Sequence, residues 1–240
     1  MELTVVMPAF DESGRIEDSL SRVLGYLRGA DSIKGEFEII VVDDGSTDET
    51  RARVTAMAER NQEIHIVAYN ENQGKGYAVR QGVLASKGKN VLISDADLSA
   101  PIEDLPLLVQ ALERGADIAV GSRALPGSVL TERQPRYREL GGKALNLPIR
   151  LLAVPGIHDT QCGFKLFQGD AARRIFAKCM LNRYSFDVEA LYLARRMGYS
   201  IAETPIHWGH REGSKVRPFA DGLRILFDLA RLRLRRYDLS

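Results

Sequence analysis

The chain is poor in cysteine. Cys162 and Cys179 are its two, and they have no metal-ligand spacing to the four histidines. This excludes a disulfide-stapled scaffold or a zinc ribbon and implies reduced thiols. Long apolar runs are missing too: no stretch approaches the roughly 20 uninterrupted apolar residues of a membrane span. The chain enters a strand pattern at Leu3-Thr4-Val5-Val6-Met7, which leaves no room for a secretory signal, so a cytoplasmic location is expected. Charge of one sign is also missing. The 33 Lys/Arg balance 32 Asp/Glu to a net +1, and no nucleic-acid partner is expected. Without internal repeats, low-complexity tracts or Pro/Gly-rich linkers, 240 residues at 45% hydrophobic content describe one large domain with room for a core, or one domain with an appendage.

What is present is alternation. Short β-branched runs at Leu3 to Met7, Glu38 to Val42, Ile64 to Ala68, Asn90 to Ser94 and Ile118 to Gly121 are separated by amphipathic stretches. The helices expected there are Ile16 to Leu27, Thr47 to Arg60, Gly76 to Ser86 and Ile102 to Arg114. That is the pattern of βαβ units wound into a mostly parallel sheet. Ser46 followed by Glu49 predicts a capping box at the second helix. After Gly121 a polar, Arg-rich segment from Arg123 to Arg138 reads as a functional loop, followed by an apolar helix from Lys143 to Leu152. A strand at Gly163 to Phe167, helices near Gly169 to Ala177 and Asp187 to Met197, a strand at Ser200 to Thr204 and a final helix from about Phe219 to Tyr237 complete the expectation.

The chemistry-bearing residues sit at strand ends. Pro8-Ala9-Phe10-Asp11-Glu12 follows the first strand, Asp43-Asp44-Gly45-Ser46 the second and Asp95-Ala96-Asp97 the fourth. In an open α/β sheet these ends line one crevice, where ligands bind. Alone, each acid reads as well as a turn or a helix cap; together they suit a hard cation, Mg²⁺ or Mn²⁺, shared with a diphosphate. Asp97 is the better metal ligand, with Asp95 beside it, and Asp43 is placed to accept hydrogen bonds from a nucleobase or ribose. Asn72-Gln73-Gly74-Lys75-Gly76 opens the third helix, so its amides and Lys75 can approach a phosphate. It has neither the Walker nor the dinucleotide glycine spacing. His65, His158, His207 and His210 read as structural, since His207 and His210 lack a third ligand, and Trp208 is expected to line an apolar acceptor channel.

Three of these stretches, Val41-Val42-Asp43-Asp44-Gly45-Ser46-Thr47-Asp48, Asp95-Ala96-Asp97 and Gly121-Ser122-Arg123, resemble the Rossmann-like nucleotide-sugar-binding fold of inverting A-type glycosyltransferases. Asp159-Thr160-Gln161-Cys162-Gly163-Phe164-Lys165-Leu166-Phe167, Phe186-Asp187-Val188-Glu189 and Gly213-Ser214-Lys215 narrow the likeness to dolichyl-phosphate β-glucosyltransferases over nearly the whole chain. The resemblance implies nucleobase and ribose contacts at Pro8, Ala9, Glu12 and Asp43. It implies nucleotide and sugar contacts at Asp95 and Ala96, and a metal ligand at Asp97. Arg123, Arg138, Arg211 and Lys215 match positions that handle donor diphosphate and acceptor phosphate, with Gln161 and Ser214 in the same acceptor motifs. Asp159 is expected to orient the acceptor or complete the metal site. Mannose synthases, which share the skeleton less closely, place a Gln two residues after the motif as a second metal ligand; this chain has Ser99 there.

The activity so implied is transfer of glucose from UDP-glucose to a polyprenyl phosphate. That acceptor is already an anion, so the absence of a Ser/His/Asp or Cys/His arrangement costs nothing. Mannosyl transfer from GDP-mannose, and a non-catalytic membrane-surface nucleotide-binding module, are the rival readings. A nucleotidyltransferase is disfavoured, because its glycine-rich basic loop is absent after the first strand. The expected organisation is a catalytic domain over 1–218, with a nucleotide-sugar half (1–122) and an acceptor half (123–218), followed by a basic helix over 219–240. Residues 211–240 hold eight Lys/Arg and four Asp/Glu. Phe219, Leu223, Leu226, Ala230 and Leu234 are expected on one face of that helix, with Arg217, Arg224, Arg231 and Arg235 opposite and Arg233 and Arg236 flanking. A peripheral contact with an anionic membrane surface, on its cytoplasmic face, is the partner this predicts, beside the nucleotide sugar and the lipid phosphate.

Overall fold

The computed structural model describes residues 1–30, 36–132, 148–150, 152–211 and 218–238. Strands β1 (Leu3–Ala9), β2 (Phe37–Asp44), β3 (Ile64–Tyr69), β4 (Asn90–Ile93), β5 (Ile118–Ser122), β7 (Lys165–Gln168) and β8 (Ile201–Pro205) form one sheet in the order β3-β2-β1-β4-β7-β5-β8. All neighbours are parallel except β7, which runs antiparallel between β4 and β5. A second, two-stranded sheet pairs β6 (Val129–Glu132) with β9 (His207–Gly209).

The central strands are buried on both faces, so they read as continuous apolar runs rather than alternating ones. Their side chains nevertheless alternate between two cores. Val5 and Met7, Ile39 and Val41, and Leu92 face one layer with α1 (Ile16–Gly29), α2 (Thr50–Arg60) and α4 (Leu105–Glu113). Val6, Ile40 and Val42, and Val91 and Ile93 face the other, with α3 (Lys75–Ala85), α5 (Gly169–Lys178), α6 (Phe186–Arg196) and α7 (Pro218–Leu234). The expected alternation and mostly parallel sheet are therefore present, with strand and helix limits moved by a few residues.

Three expectations are corrected. The helix after β2 begins at Thr50, three residues later than expected, and no capping box forms. Ser46 Oγ instead accepts from the Asp11 amide (3.0 Å), and Asp48 Oδ1 accepts from the Thr50 amide (2.9 Å). The stretch from Ile102 to Arg114 is a 3₁₀ turn (Ile102–Asp104) leading into α4, with Pro106 inside the first helical turn. On α7 the packed residues are Ile225, Leu229 and Leu232; of the expected stripe Leu226, Ala230 and Leu234 are exposed, Leu234 at 85%, and the side chains of Phe219 and Leu223 lie outside the described residues. A periodicity of 3.6 fits both stripes, and the core chose the one holding the β-branched Ile225. Most of the expected 143–152 helix lies outside the described residues.

Because β7 is inserted antiparallel, it starts where β4 and β5 end, with Lys165 opposite both Ile93 and Val120. That reversal carries the segment from Asp159 to Phe164 to the same sheet edge as the ends of β1, β2, β4 and β5.

Candidate active site

Two loops at the ends of β1 and β2 are laced together. Asp11 has φ +49°, and its carboxylate accepts the Thr47 amide (2.7 Å); the Glu12 amide donates to Thr50 Oγ1 (2.7 Å). Ala9 sits opposite Asp43 in the strand register, so Pro8, Ala9, Glu12 and Asp43 do converge. The Asp43 carboxylate, however, is fully buried and occupied. Arg51 Nε donates to Oδ2 at 2.8 Å and the Ser46 amide reaches Oδ1 at 3.3 Å. Arg51 also donates to Asn70 Oδ1 and to the Tyr69 carbonyl. The expected open acceptor at Asp43 is thus an ion pair, which sets Arg51 at this edge of the crevice.

Asp44, to which the sequence assigned no role of its own, builds the loop that precedes Lys75. It accepts from Tyr69 Oη (2.7 Å), Asn72 Nδ2 (2.9 Å), the Gln73 amide (2.9 Å) and the Gly74 amide (3.0 Å). The loop ends with Gly74 at φ +104°, a conformation L side chains rarely adopt, and delivers Lys75 as the first residue of α3. Lys75 Nζ lies 2.6 Å from Asp95 Oδ1. Burial pulls the ammonium down, but the charges of Asp95 and Asp187 outweigh it and hold Lys75 above the ordinary lysine range.

Asp95-Ala96-Asp97 forms a tight turn off β4. The Leu98 amide donates to the Asp95 carbonyl (3.1 Å) and Leu98 takes φ +47°. Asp97 Oδ1 accepts the Ser99 amide (2.9 Å), and its other oxygen takes no hydrogen bond among the described residues. Ser99 in turn accepts from the Gly209 amide (2.9 Å), which ties β9 to this turn. Two hard carboxylates 2 residues apart fit a divalent cation of the Mg²⁺ type, which is held by one or two carboxylates plus substrate phosphates. Among the described residues no group of three or more His, Cys, Asp or Glu is placed to hold a metal ion. Asp95 leans directly on Gly163: a β-carbon there would lie 2.2 Å from Asp95 Oδ2. Gly163→Ala is therefore expected to displace that carboxylate and lower transfer by about 10²-fold, the scale of a 1 Å misplacement; steady-state kinetics with parent-like thermal stability check it.

On the far side, Arg123 follows β5 and is bound to buried Asp159 by its amide (3.0 Å), Nε (2.6 Å) and Nη2 (2.8 Å). Burial raises the Asp159 carboxyl, but the Arg123 charge and hydrogen bonds win and hold it below the usual carboxylate range. Asp159 is itself fixed by Glu203, which accepts the amides of His158 (2.7 Å) and Asp159 (2.9 Å). Its carboxylate thus stations Arg123, whose guanidinium lies 5.4 Å from the Trp208 ring centroid with His210 beside it. Burial, with the Asp159 charge next, pushes the Cys162 thiol up to about 12, an inert side chain.

His158 pairs with Glu203 (2.8 Å) and His207 with Asp104 (2.9 Å), which accounts for both as structural. Ala96 is buried within the turn, Gln161 is half-buried and Arg211 exposed; Arg138, Ser214 and Lys215 lie outside the described residues. Sequence reasoning missed the supports Asp44, Arg51 and Glu203, and the buried pair Lys165–Asp187 (2.5 Å), in which Lys165 Nζ also donates to the Cys162 carbonyl. A lysine inside the apolar run Gly163-Phe164-Lys165-Leu166-Phe167 was the available signal, because a charge in a core strand needs a partner.

Residues 4–176 match the model of glycosyl transferase family 2. The dolichyl-phosphate β-glucosyltransferase of Dictyostelium discoideum is 36% identical over 97% of this chain and 74% of its own length. That of Homo sapiens is 35% identical over 98% and 75%. Among solved structures, glucosyl-3-phosphoglycerate synthase from Mycobacterium tuberculosis, in complex with Mn²⁺, UDP-glucose and phosphoglyceric acid, superposes with a TM-score of 0.70 at 21% identity, covering 98% of this chain and 81% of that one. At that identity the likeness is one of fold.

Proposed function

The chain belongs to glycosyl transferase family 2, with the dolichyl-phosphate β-glucosyltransferases among its relatives, and we propose that it transfers glucose from UDP-glucose to a polyprenyl phosphate of the dolichyl type, inverting the anomeric centre. The observation that carries this is the Asp95–Asp97 turn with Lys75 at 2.6 Å from Asp95, at the mouth of a mostly parallel sheet that also carries Arg123, held by Asp159. Similarity to enzymes so named over nearly the whole length supports the choice of sugar and acceptor.

Pro8, Ala9 and Glu12 border the nucleoside, with Arg51 held beside them by Asp43. Lys75 and the amides of its loop meet the diphosphate. Asp97, with Asp95, would hold a divalent cation, Mg²⁺ or Mn²⁺, which when bound would neutralise charge on the leaving diphosphate. Arg123, held in place by Asp159, presents its remaining donors to a phosphate, and Arg138, Gln161, Arg211, Ser214 and Lys215 belong to the acceptor side. The lipid phosphate attacks as the anion it already is, so the chain needs no general base. The catalytic unit on this reading is 1–218, with donor and acceptor halves meeting near 122.

Among the described residues no helix is long and apolar enough to cross a membrane. α7 offers a different contact: Leu226, Phe227 and Leu234 are exposed beside Arg224, Arg231, Arg233, Arg235 and Arg236, and Arg231 lies 4.5 Å from the Phe227 ring centroid. A mixed apolar and cationic face suits an anionic leaflet, here the cytoplasmic one, with the enzyme peripheral to it.

The decisive experiment offers UDP-glucose and GDP-mannose with a polyprenyl phosphate in vesicles and Mg²⁺ or Mn²⁺. Formation of a β-linked lipid-phosphate glucose is expected. Exclusive use of GDP-mannose overturns the sugar assignment, and turnover of no nucleotide sugar overturns the enzyme. In the same vesicles, changing Arg231, Arg233, Arg235 and Arg236 to Gln is expected to cut cosedimentation by on the order of 10²- to 10³-fold, at about 1 kcal/mol per charge, and salt should weaken the parent's binding.

A further inference from the structure

α7 reaches the donor site through one short segment. The start of α3, which carries Lys75, is seated on residues 179–186. The Tyr77 amide donates to the Asn182 carbonyl (3.1 Å), and Arg80 donates to the Cys179 carbonyl (2.8 Å) and to Asn182 Oδ1 (3.2 Å). The approach is close enough to demand glycine on both sides of Lys75. A β-carbon on Gly74 would lie 2.4 Å from the Asn182 carbonyl oxygen, and one on Gly76 2.5 Å from that of Leu181 and 2.6 Å from Phe186 Cβ. Any movement of this segment therefore moves Lys75.

The segment is pinned from behind by a buried carboxylate. Glu189 of α6 is fully buried; its Oε2 accepts the amides of Met180 (2.9 Å) and Leu181 (2.7 Å), and its Oε1 accepts Tyr237 Oη (2.6 Å), just past the end of α7. A second tie joins Ser185 Oγ to Asp228 Oδ2 of α7 (2.7 Å), again between buried groups. Buried polar groups are costly unless satisfied, so these bonds give the segment one position rather than several. Both of these bonds from α7 and its C-terminal extension run to this segment or to the residue that pins it.

We propose that Glu189 and Tyr237 are positioning residues for donor binding, acting through the 180–186 segment on Lys75, so that the C-terminal helix is part of the donor site's support as well as a surface contact. This rests on reading Lys75 as a ligand of the donor diphosphate. The test is a double-mutant cycle on the full chain, with UDP and Mn²⁺ as the titrated probe. Tyr237→Phe is expected to weaken UDP about five- to twentyfold and to raise KM for UDP-glucose while leaving kcat within about twofold. In a Lys75→Met background the same change should cost less than about twofold. Equal losses in both backgrounds, or no loss in the parent, overturn the proposal while leaving the role of Lys75 standing. If Lys75→Met itself leaves UDP affinity unchanged, the reading of Lys75 fails and the proposal falls with it. Should Tyr237→Phe not fold, Glu189→Gln, which keeps the volume, an acceptor for the two amides and a donor for Tyr237 Oη, is expected to leave UDP affinity within about twofold of the parent; a five- to twentyfold loss there would place the effect on the charge of Glu189 rather than on the position of the segment and overturn the proposal.

Discussion

Asp97→Ala is expected to lower glucosyl transfer by about 10³-fold, with thermal stability close to that of the parent. A cation held at the leaving diphosphate supplies several kcal/mol of transition-state charge stabilisation, and each 1.36 kcal/mol is a factor of ten in rate. The structural cost is small. Asp97 is half-buried, and its one hydrogen bond among the described residues is the Ser99 amide at 2.9 Å, worth about 1 kcal/mol. Asp97→Asn makes the distinction sharper, because an amide oxygen still accepts from Ser99 while the charge is lost; it should be as inactive as the alanine variant. Chelation should silence the parent, with Mg²⁺ or Mn²⁺ restoring it. Full activity in either variant, or transfer that survives chelation, would sink the role of Asp97.

The largest loss of stability is expected from Lys165→Met, about 3–5 kcal/mol, because it leaves Asp187 as an unpaired carboxylate in the core. Lys165 and Asp187 are 1% and 7% exposed and 2.5 Å apart. For a domain of this size such a loss lowers Tm by about 10 °C. Burial already raises the Asp187 carboxyl with Lys165 present, and removing the lysine raises it further. The sign of the pH dependence follows. A folded-state value above the unfolded one means that the folded chain holds the proton longer, so the variant should lose stability as pH rises from the unfolded carboxyl value through the folded one. Replacing both partners, as Lys165→Met with Asp187→Leu, should recover most of the loss. Thermal melts across pH check this: a pH-independent loss, or a double variant no better than the single, would mean that the pair is not the source.

The strand-end crevice was legible in the sequence because its residues are local to strand ends. A β-branched run followed by acids says where the strand stops and what stands at its mouth, and Asp95-Ala96-Asp97 and Gly74-Lys75-Gly76 appear where that logic puts them. The state of each carboxylate was not legible. Asp43 reads as an open acceptor until Arg51, eight residues on, is folded against it at 2.8 Å. Asp159 reads as an acceptor-side acid until Arg123, 36 residues away, takes both its oxygens. The α7 stripe failed for a related reason: helical periodicity offers more than one apolar face, and only the packing partner selects among them.

The sequence alone therefore determined the βαβ order, the parallel character of the sheet, the family resemblance and the strand-end acids, since these depend on period, length and residue type within a few positions. The tertiary structure alone decided that β7 enters antiparallel between β4 and β5 and brings Asp159 and Gly163 to the crevice. It also decided which charges are spent on one another, and that Tyr237 and Lys75, 162 positions apart in the chain, stand on opposite sides of one segment. Pairings at that distance are set by the closure of the whole sheet and its two cores, and no local pattern encodes them.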